Sequence, residues 1–172
     1  MEKSMKIMVT GGGGLVGSAI HAHFKPTRDE LDLMELDAII DYIEENEITH
    51  IIHCAARVGG IKANMEHLGE FFYENIIMNS NVLEASRQCG VEKVVSFMST
   101  CVFPDDATYP LSPDQIHNGE PHPSNYAYAY AKRMLEVQSR AYREQHGCNF
   151  VTVIPCNIYG PNDNFDLDSS HV

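Results

Sequence analysis

Short apolar runs rich in β-formers alternate along the chain with stretches whose apolar residues recur at helical spacing. Lys6–Thr10 reads as a buried first strand, and Gly14 to about Phe24 as a short helix. Leu36–Glu47 has helical periodicity and runs into a strand at Thr49–Cys54. One long helix is predicted from about Glu66 to Cys89, with Gly90 placed to end it. Lys93–Met98 is the fourth strand, followed by a polar, proline-bearing loop from Pro104 to Pro123. A helix from about Ser124 to His146, stopped by Gly147, leads to a last strand at Phe150–Pro155. Alternation of this kind predicts an α/β fold around a parallel sheet.

One interval is too short for that plan. Only Leu15–Thr27 separates the first glycine cluster from Arg28. A helix of about 11 residues and a strand of about five would overfill it. The expectation is therefore a second strand that is very short, or one lost with residues between Ile20 and Arg28. In a 3-2-1-4-5 strand order its loss would leave a gap between the first and third strands.

Thr10-Gly11-Gly12-Gly13-Gly14-Leu15-Val16-Gly17 leaves a strand and opens a helix. Glycines at Gly11, Gly14 and Gly17 suit a tight turn, close approach to a pyrophosphate, and helix–strand packing. Four consecutive glycines are also what a flexible turn looks like, but the first strand–helix junction is where a dinucleotide cradle belongs. Together these features predict a Rossmann-like, doubly wound domain over residues 1–172. Beyond the missing second strand lies Thr27-Arg28-Asp29-Glu30-Leu31-Asp32-Leu33. An arginine there accommodates a 2′-phosphate, whereas a carboxylate takes the ribose of NAD. Arg28 points to NADP; Asp29 or Glu30 on the ribose, with Arg28 merely solvated, is the competing reading.

Tyr128 and Lys132 stand four apart on a predicted helix and so share a face. A cation beside a phenol favours the phenolate, which would lower the tyrosine's pKa and make it a usable acid–base. Tyr126 and Tyr130 alternate with Tyr128, but neither has lysine at the fourth position. Such a pair arises often by accident, and plain packing would explain these tyrosines. Its force comes from Ser99-Thr100-Cys101 at the carboxyl end of the fourth strand, the edge where open α/β sheets bind ligands.

The net charge of −12 disfavours nucleic acid and anionic membranes as partners. It also leaves few cations near the motifs for an anionic ligand: Arg28, Arg57 and Lys132. No apolar run approaches the ~20 residues needed to cross a bilayer. The five cysteines are scattered without a C-x-x-C, which argues for reduced thiols in a cytoplasmic protein. His21 and His23 are two apart and would diverge on a helix, so no metal site is expected.

Ser99, Tyr128 and Lys132 together resemble the Ser–Tyr–Lys set of the short-chain dehydrogenase/reductase family. His53-Cys54-Ala55-Ala56, Asn75, Asn79-Ser80-Asn81-Val82-Leu83-Glu84-Ala85 and Pro155-Cys156-Asn157-Ile158-Tyr159-Gly160-Pro161 resemble its extended, nucleotide-sugar-modifying branch. Within that branch, Arg57-Val58-Gly59-Gly60-Ile61, Ser99-Thr100-Cys101-Val102-Phe103-Pro104 and Pro161-Asn162-Asp163-Asn164-Phe165, running on to Ser170-His171-Val172, resemble GDP-L-fucose synthases. The departures are Cys156, where threonine is expected, and the shortened interval before Arg28.

The resemblance implies an NADP-dependent epimerase–reductase acting on GDP-4-keto-6-deoxymannose, here without its C-terminal sugar-nucleotide lobe, and a homodimer. It implies Cys101 as base and His171 as acid for epimerisation, Tyr128 and Ser99 as donors to the enolate oxygen, and Tyr128 as proton donor in reduction. Lys132 would hold the nicotinamide ribose. The implied NADPH-binding positions are Gly11, Gly12, Gly13, Gly14, Leu15, Val16, Gly17, Arg28, Asp32, Leu33, Ala55, Ala56, Met98, Ser99, Lys132, Pro155, Asn157, Ile158 and His171. Two other readings stay open: a dinucleotide-binding module without turnover, and another nucleotide-sugar epimerase or dehydratase. Against the last, a 4,6-dehydratase would carry an acidic pair beside Ser99, where this chain has Thr100-Cys101.

Overall fold

A computed structural model describes residues 4–161 and residue 163. Four parallel strands, β1 (Ile7–Thr10), β2 (His50–His53), β3 (Lys93–Phe97) and β4 (Phe150–Val153), lie in the order β1-β2-β3-β4. The register aligns Met8, Ile51, Val94 and Phe150 in one row across the sheet. All four are essentially excluded from solvent, and this row is the centre of the core. Two residues further along, at the carboxyl edge, the same face turns polar: Thr10, His53, Ser96 and Thr152. The apolar core therefore ends one pleat before the edge where chemistry is expected.

Crossovers between parallel strands of one sheet are right-handed as a rule, which puts the helices of successive steps in one direction on one face. Those helices are α2 (Leu36–Glu45), α4 (Leu68–Gln88) and α5 (Tyr126–His146), and α4 packs against both of the others. Helix α1 (Leu15–Ala19) belongs to the step in the opposite direction. After it, Phe24 forms a single parallel bridge with Met8 on the free side of β1. Its carbonyl accepts from Val9 N at 2.9 Å and its amide donates to Ile7 O at 3.1 Å.

That bridge resolves the short interval. The second strand is present but reduced to one residue pair, and α1 is five residues rather than a helix running to Phe24. The expected gap does not arise. The shortened strand occupies the edge beyond β1, so its loss trims the sheet, and Phe24 is held there edge-on against Tyr42. Because the chain reverses direction at β1, the β1–β2 junction is the topological switch point, where ligands of open α/β sheets sit.

The predicted long helix is α4, spanning Leu68–Gln88, and an unforeseen short helix precedes it. Gly59 and Gly60 concealed a short α3 (Ile61–Glu66), and His67, at φ −129° and ψ 40°, breaks it from α4. Helix α5 starts at Tyr126 rather than Ser124, because His122–Asn125 is taken up in a turn closed by Asn125 N to His122 O at 3.2 Å. Gly90 and Gly147 take positive φ just past α4 and α5, the conformation a side chain would resist.

Candidate active site

A cleft of about 940 Å³ opens at the carboxyl ends of β1 and β2. Gly11–Gly17 form one wall, Arg28, Asp32 and Leu33 another, and Ala55 and Ala56 line it from the end of β2. Gly11 has φ +69°, and a Cβ there would stand 2.7 Å from Ala55 N. At Gly17 a Cβ would meet Gly11 O at 2.3 Å. The loop is thus folded onto the end of β2 and back onto itself so tightly that only hydrogen fits at either position. Helix α1 is too short to contribute a full macrodipole. Its first-turn amides at Leu15, Val16 and Gly17, which have no intrahelical acceptor, are what this wall offers an anion.

Of the three cations named from the sequence, Arg28 is exposed on the cleft wall and has no ion pair among the described residues. Arg57 lines the cleft too, but it pairs with Glu74 and lies 5.1 Å over the Phe71 ring. Asn75 clamps its backbone, accepting from Arg57 N and donating to Arg57 O at 3.0 Å each. Asp32 turns toward its own loop and accepts from Met34 N at 2.9 Å.

The second group lies along the same sheet edge, past β3. Ser99 caps the 3-10 turn Thr100–Val102, with Cys101 N directed at its Oγ from 3.5 Å. Lys132 is buried, its Nζ donating to Phe97 O at 3.0 Å and lying 5.9 Å from the centre of the Tyr128 ring. Burial lowers the Lys132 ammonium to about 8, opposed by the thiols of Cys101 and Cys54. Cys54 joins the two groups: it lines the cleft, and its own thiol, raised by burial to about 11, lies in the field of Lys132.

Tyr128 corrects the sequence expectation. Its phenol is pushed up rather than down, first by burial and then by the neighbouring Cys101. The ammonium is committed to the Phe97 carbonyl and sits over the ring, and enclosure outweighs it. Burial likewise raises the Cys101 thiol, against Ser99, Lys132 and Arg133, which lower it. In this structure both groups are acids at neutral pH.

Met98 is buried beyond β3 with its amide on Val153 O at 2.9 Å. Pro155 is half-buried, and Asn157 and Ile158 are exposed after β4; none of these lines the cleft. His171 lies outside the described residues. Among the described residues no three His, Cys, Asp or Glu side chains are grouped to hold a metal ion, and no helix is long and apolar enough to cross a membrane.

Sequence reasoning missed a buried polar chain between the two groups. Thr10 Oγ1 lies 2.7 Å from His53 Nδ1, His53 Nε2 lies 2.9 Å from Asn79 Oδ1, and Asn79 Nδ2 donates to Ala131 O at 3.1 Å. Only an amide nitrogen can donate to that carbonyl, which fixes the Asn79 flip. Asn79 Oδ1 must then accept from His53 Nε2–H, so Nδ1 accepts from Thr10. The one sequence signal was His53 at the end of an apolar strand, after Ile51-Ile52.

This chain requires neutral His53, and burial, with the charge of Lys132, lowers it from 6.5 to about 4. Between those values the unfolded chain binds a proton that the folded chain refuses. Stability from this group is intact above pH 6.5 and is lost as pH falls toward 4, by up to about 3 kcal/mol. Urea midpoints of the wild type are therefore expected to fall more steeply over this range than those of His53→Gln. Equal slopes would refute the assignment.

Fold and site together define a Rossmann-like α/β domain with a glycine-walled cleft at its switch point and, beside it, Ser99 and Tyr128 half-buried next to a buried Lys132. The chain belongs to the NAD dependent epimerase/dehydratase family, whose profile matches residues 7–172. It is 49% identical to a GDP-L-fucose synthase of Dictyostelium discoideum across 96% of its own length, and 44% identical to a probable GDP-L-fucose synthase of Drosophila melanogaster across 97%. A crystal structure of a GDP-L-fucose synthetase from Naegleria fowleri bound to NADP superposes with a TM-score of 0.90 at 40% identity, covering all of this chain and 56% of that one. The chain spans about half the length of the curated relatives it matches.

Proposed function

We propose that this chain is the cofactor-binding part of an NADP-dependent epimerase–reductase that converts GDP-4-keto-6-deoxymannose to GDP-L-fucose. The observation that carries this reading is 49% identity to a GDP-L-fucose synthase over nearly the whole chain, with Ser99, Cys101, Tyr128 and Lys132 all placed at one edge of the sheet. The cleft fits a dinucleotide: two of its glycines leave no room for a Cβ, its helix-start amides are free of intrahelical acceptors, and its outer wall carries Arg28.

When bound, NADPH supplies the hydride for reducing the ketone. The chain's own residues do the rest. Carbons flanking a ketone are weakly acidic, and Cys101 as thiolate takes a proton from one face. His171 returns one to the other. Ser99 and Tyr128 donate to the oxygen on which negative charge collects. Tyr128, an acid here because it is buried, gives its proton to that oxygen on reduction. Lys132 would hold the nicotinamide ribose, and its ammonium lies over the Tyr128 ring.

The guanidinium of Arg28, exposed on the cleft wall, supports NADP over NAD. Arg28→Ala is expected to weaken NADPH binding about tenfold to a hundredfold, the loss of one charge-assisted contact, and to leave NADH binding nearly unchanged. Fluorescence titration with both nucleotides checks it, and equal loss for both would remove the 2′-phosphate assignment. For the reaction itself, NADPH oxidation on the keto-sugar is the test. Binding without oxidation by the protein would favour a non-catalytic module.

We infer that the protein pairs with itself through α4 and α5. Phe72, Tyr73 and Tyr126 are exposed there beside an apolar groove of about 230 Å³. Cytoplasmic action is proposed as well, supported by five unpaired cysteines.

A further inference from the structure

Arg133, the residue after Lys132 on α5, is almost completely buried. Its Nε donates to Val102 O at 2.7 Å and its Nη1 to Gly119 O at 2.8 Å, while its guanidinium lies 5.2 Å from the centre of the Tyr130 ring. Nη2 is buried without an acceptor among the described residues. No carboxylate pairs with it among those residues. A guanidinium taken out of water normally demands an anion, and leaving it uncompensated is costly. The groups whose negative charge would stabilise Arg133 are the Tyr130 phenol and the Cys101 thiol.

Val102 follows Cys101 in the 3-10 turn that Ser99 caps. The same guanidinium that fastens this turn to α5 also reaches the loop at Gly119. We propose that Arg133 is a positioning residue for Cys101, pinning its turn to α5 and supplying the buried positive charge that favours the thiolate. This rests on Cys101 acting as the base of the proposed epimerisation. The resting thiol loses its proton to water, and Sγ then accepts the proton released from the carbon beside the ketone; no redox change is involved.

The other groups facing Cys101 are Ser99 on its own turn and Lys132 and Tyr128 on α5. Lys132 and Arg133 favour the thiolate, and a Tyr128 phenolate would oppose it. The two cations differ in what they serve. Lys132 is bonded to Phe97 O at the end of β3, whereas Arg133 is bonded to the backbone of the cysteine's own turn. Removing Arg133 therefore changes the cysteine's environment and leaves the Lys132 anchor in place.

The test is the pH dependence of Cys101 alkylation by iodoacetamide, read by peptide mass spectrometry, with exposed Cys156 as the internal reference. Arg133→Gln is expected to move the Cys101 midpoint up by a few tenths of a unit, less than loss of Lys132 would, so that alkylation near neutral pH slows about twofold. Arg133→Lys keeps the charge with fewer bonds; it is expected to hold the wild-type midpoint while amide exchange in the 100–103 turn accelerates. A merely structural role would alter exposure and rate without moving the midpoint. An unmoved midpoint in Arg133→Gln overturns the proposal. If that variant does not fold, a midpoint reproducibly displaced in folded Arg133→Lys, which keeps the charge, does the same. Alkylation needs neither nucleotide nor sugar. A midpoint shifted in Arg133→Gln, beside a wild type that never oxidises NADPH, would thus sink the enzymatic reading and leave the pairing of Arg133 with Cys101 standing.

Discussion

Gly17→Val is expected to abolish NADPH binding and to destabilise the chain by about 3 kcal/mol or more. A Cβ at this position would stand 2.3 Å from Gly11 O and 2.9 Å from Gly12 Cα, all main chain, so no side chain can swing aside. The loop cannot retreat either. Gly11 is in the left-handed region with Ala55 N directly beneath it, and Gly14 N is tied to Gly11 O at 3.1 Å. Gly13→Ala is the matched control, since its added carbon meets nothing within 4 Å. Chemical denaturation and nucleotide titration of both variants decide the matter. A Gly17→Val chain that binds as the wild type does would mean that the loop is a slack turn rather than a cradle.

The contrast between these two glycines shows where sequence reading stops. That Gly11, Gly14 and Gly17 open a helix was legible, but all four consecutive glycines look alike in a sequence. Which of them are compelled depends on Ala55, brought in from 44 residues away by the pairing of β1 with β2. The second strand failed for a related reason. Strand length is read from local periodicity, yet Phe24 needs only one bridge to Met8 because it caps a sheet edge and spans nothing beyond it. Helix α3 was hidden by two glycines, while α4 and α5 were legible because a long helix averages over its exceptions.

The site divides in the same way. Tyr128 and Lys132 are neighbours by helical geometry alone, and that much could be read. Whether the ammonium acidifies the phenol is a question of competing partners, and the Phe97 carbonyl lies 35 residues away on β3. Arg133 was passed over because nothing local marks it, and His53 was noted only as part of a motif, without the bonds it makes. Each becomes significant only when the fold gives it carbonyls or an amide from other elements.

Lys132→Met is expected to make the chain more stable and the enzyme inactive. At neutral pH the folded protein holds a charged ammonium that burial disfavours, lowering it from 10.5 to about 8. A lowered lysine burdens the folded state wherever both states are protonated, here by roughly 3 kcal/mol below pH 8. The bond to Phe97 O returns roughly 1 to 3 kcal/mol of this, as a hydrogen bond from a charged donor does. A net gain of about 1 kcal/mol is therefore expected for a methionine of similar length at pH 7. Between about pH 8 and 10.5 the unfolded chain keeps the lysine proton and the folded chain sheds it, so the wild type gains on the variant as pH rises. Cys54 and Tyr128 are raised and pull total stability the other way at high pH, which is why the difference between the two proteins is the quantity to measure. Reduction should fall by about a thousandfold, the scale of losing a positioned acid–base system. On the proposed function, such a group is retained against its effect on stability because the reaction needs it. A variant that is both less stable at pH 7 and still active would show that Lys132 is a structural anchor for β3, and the reductase assignment would then have lost its cation.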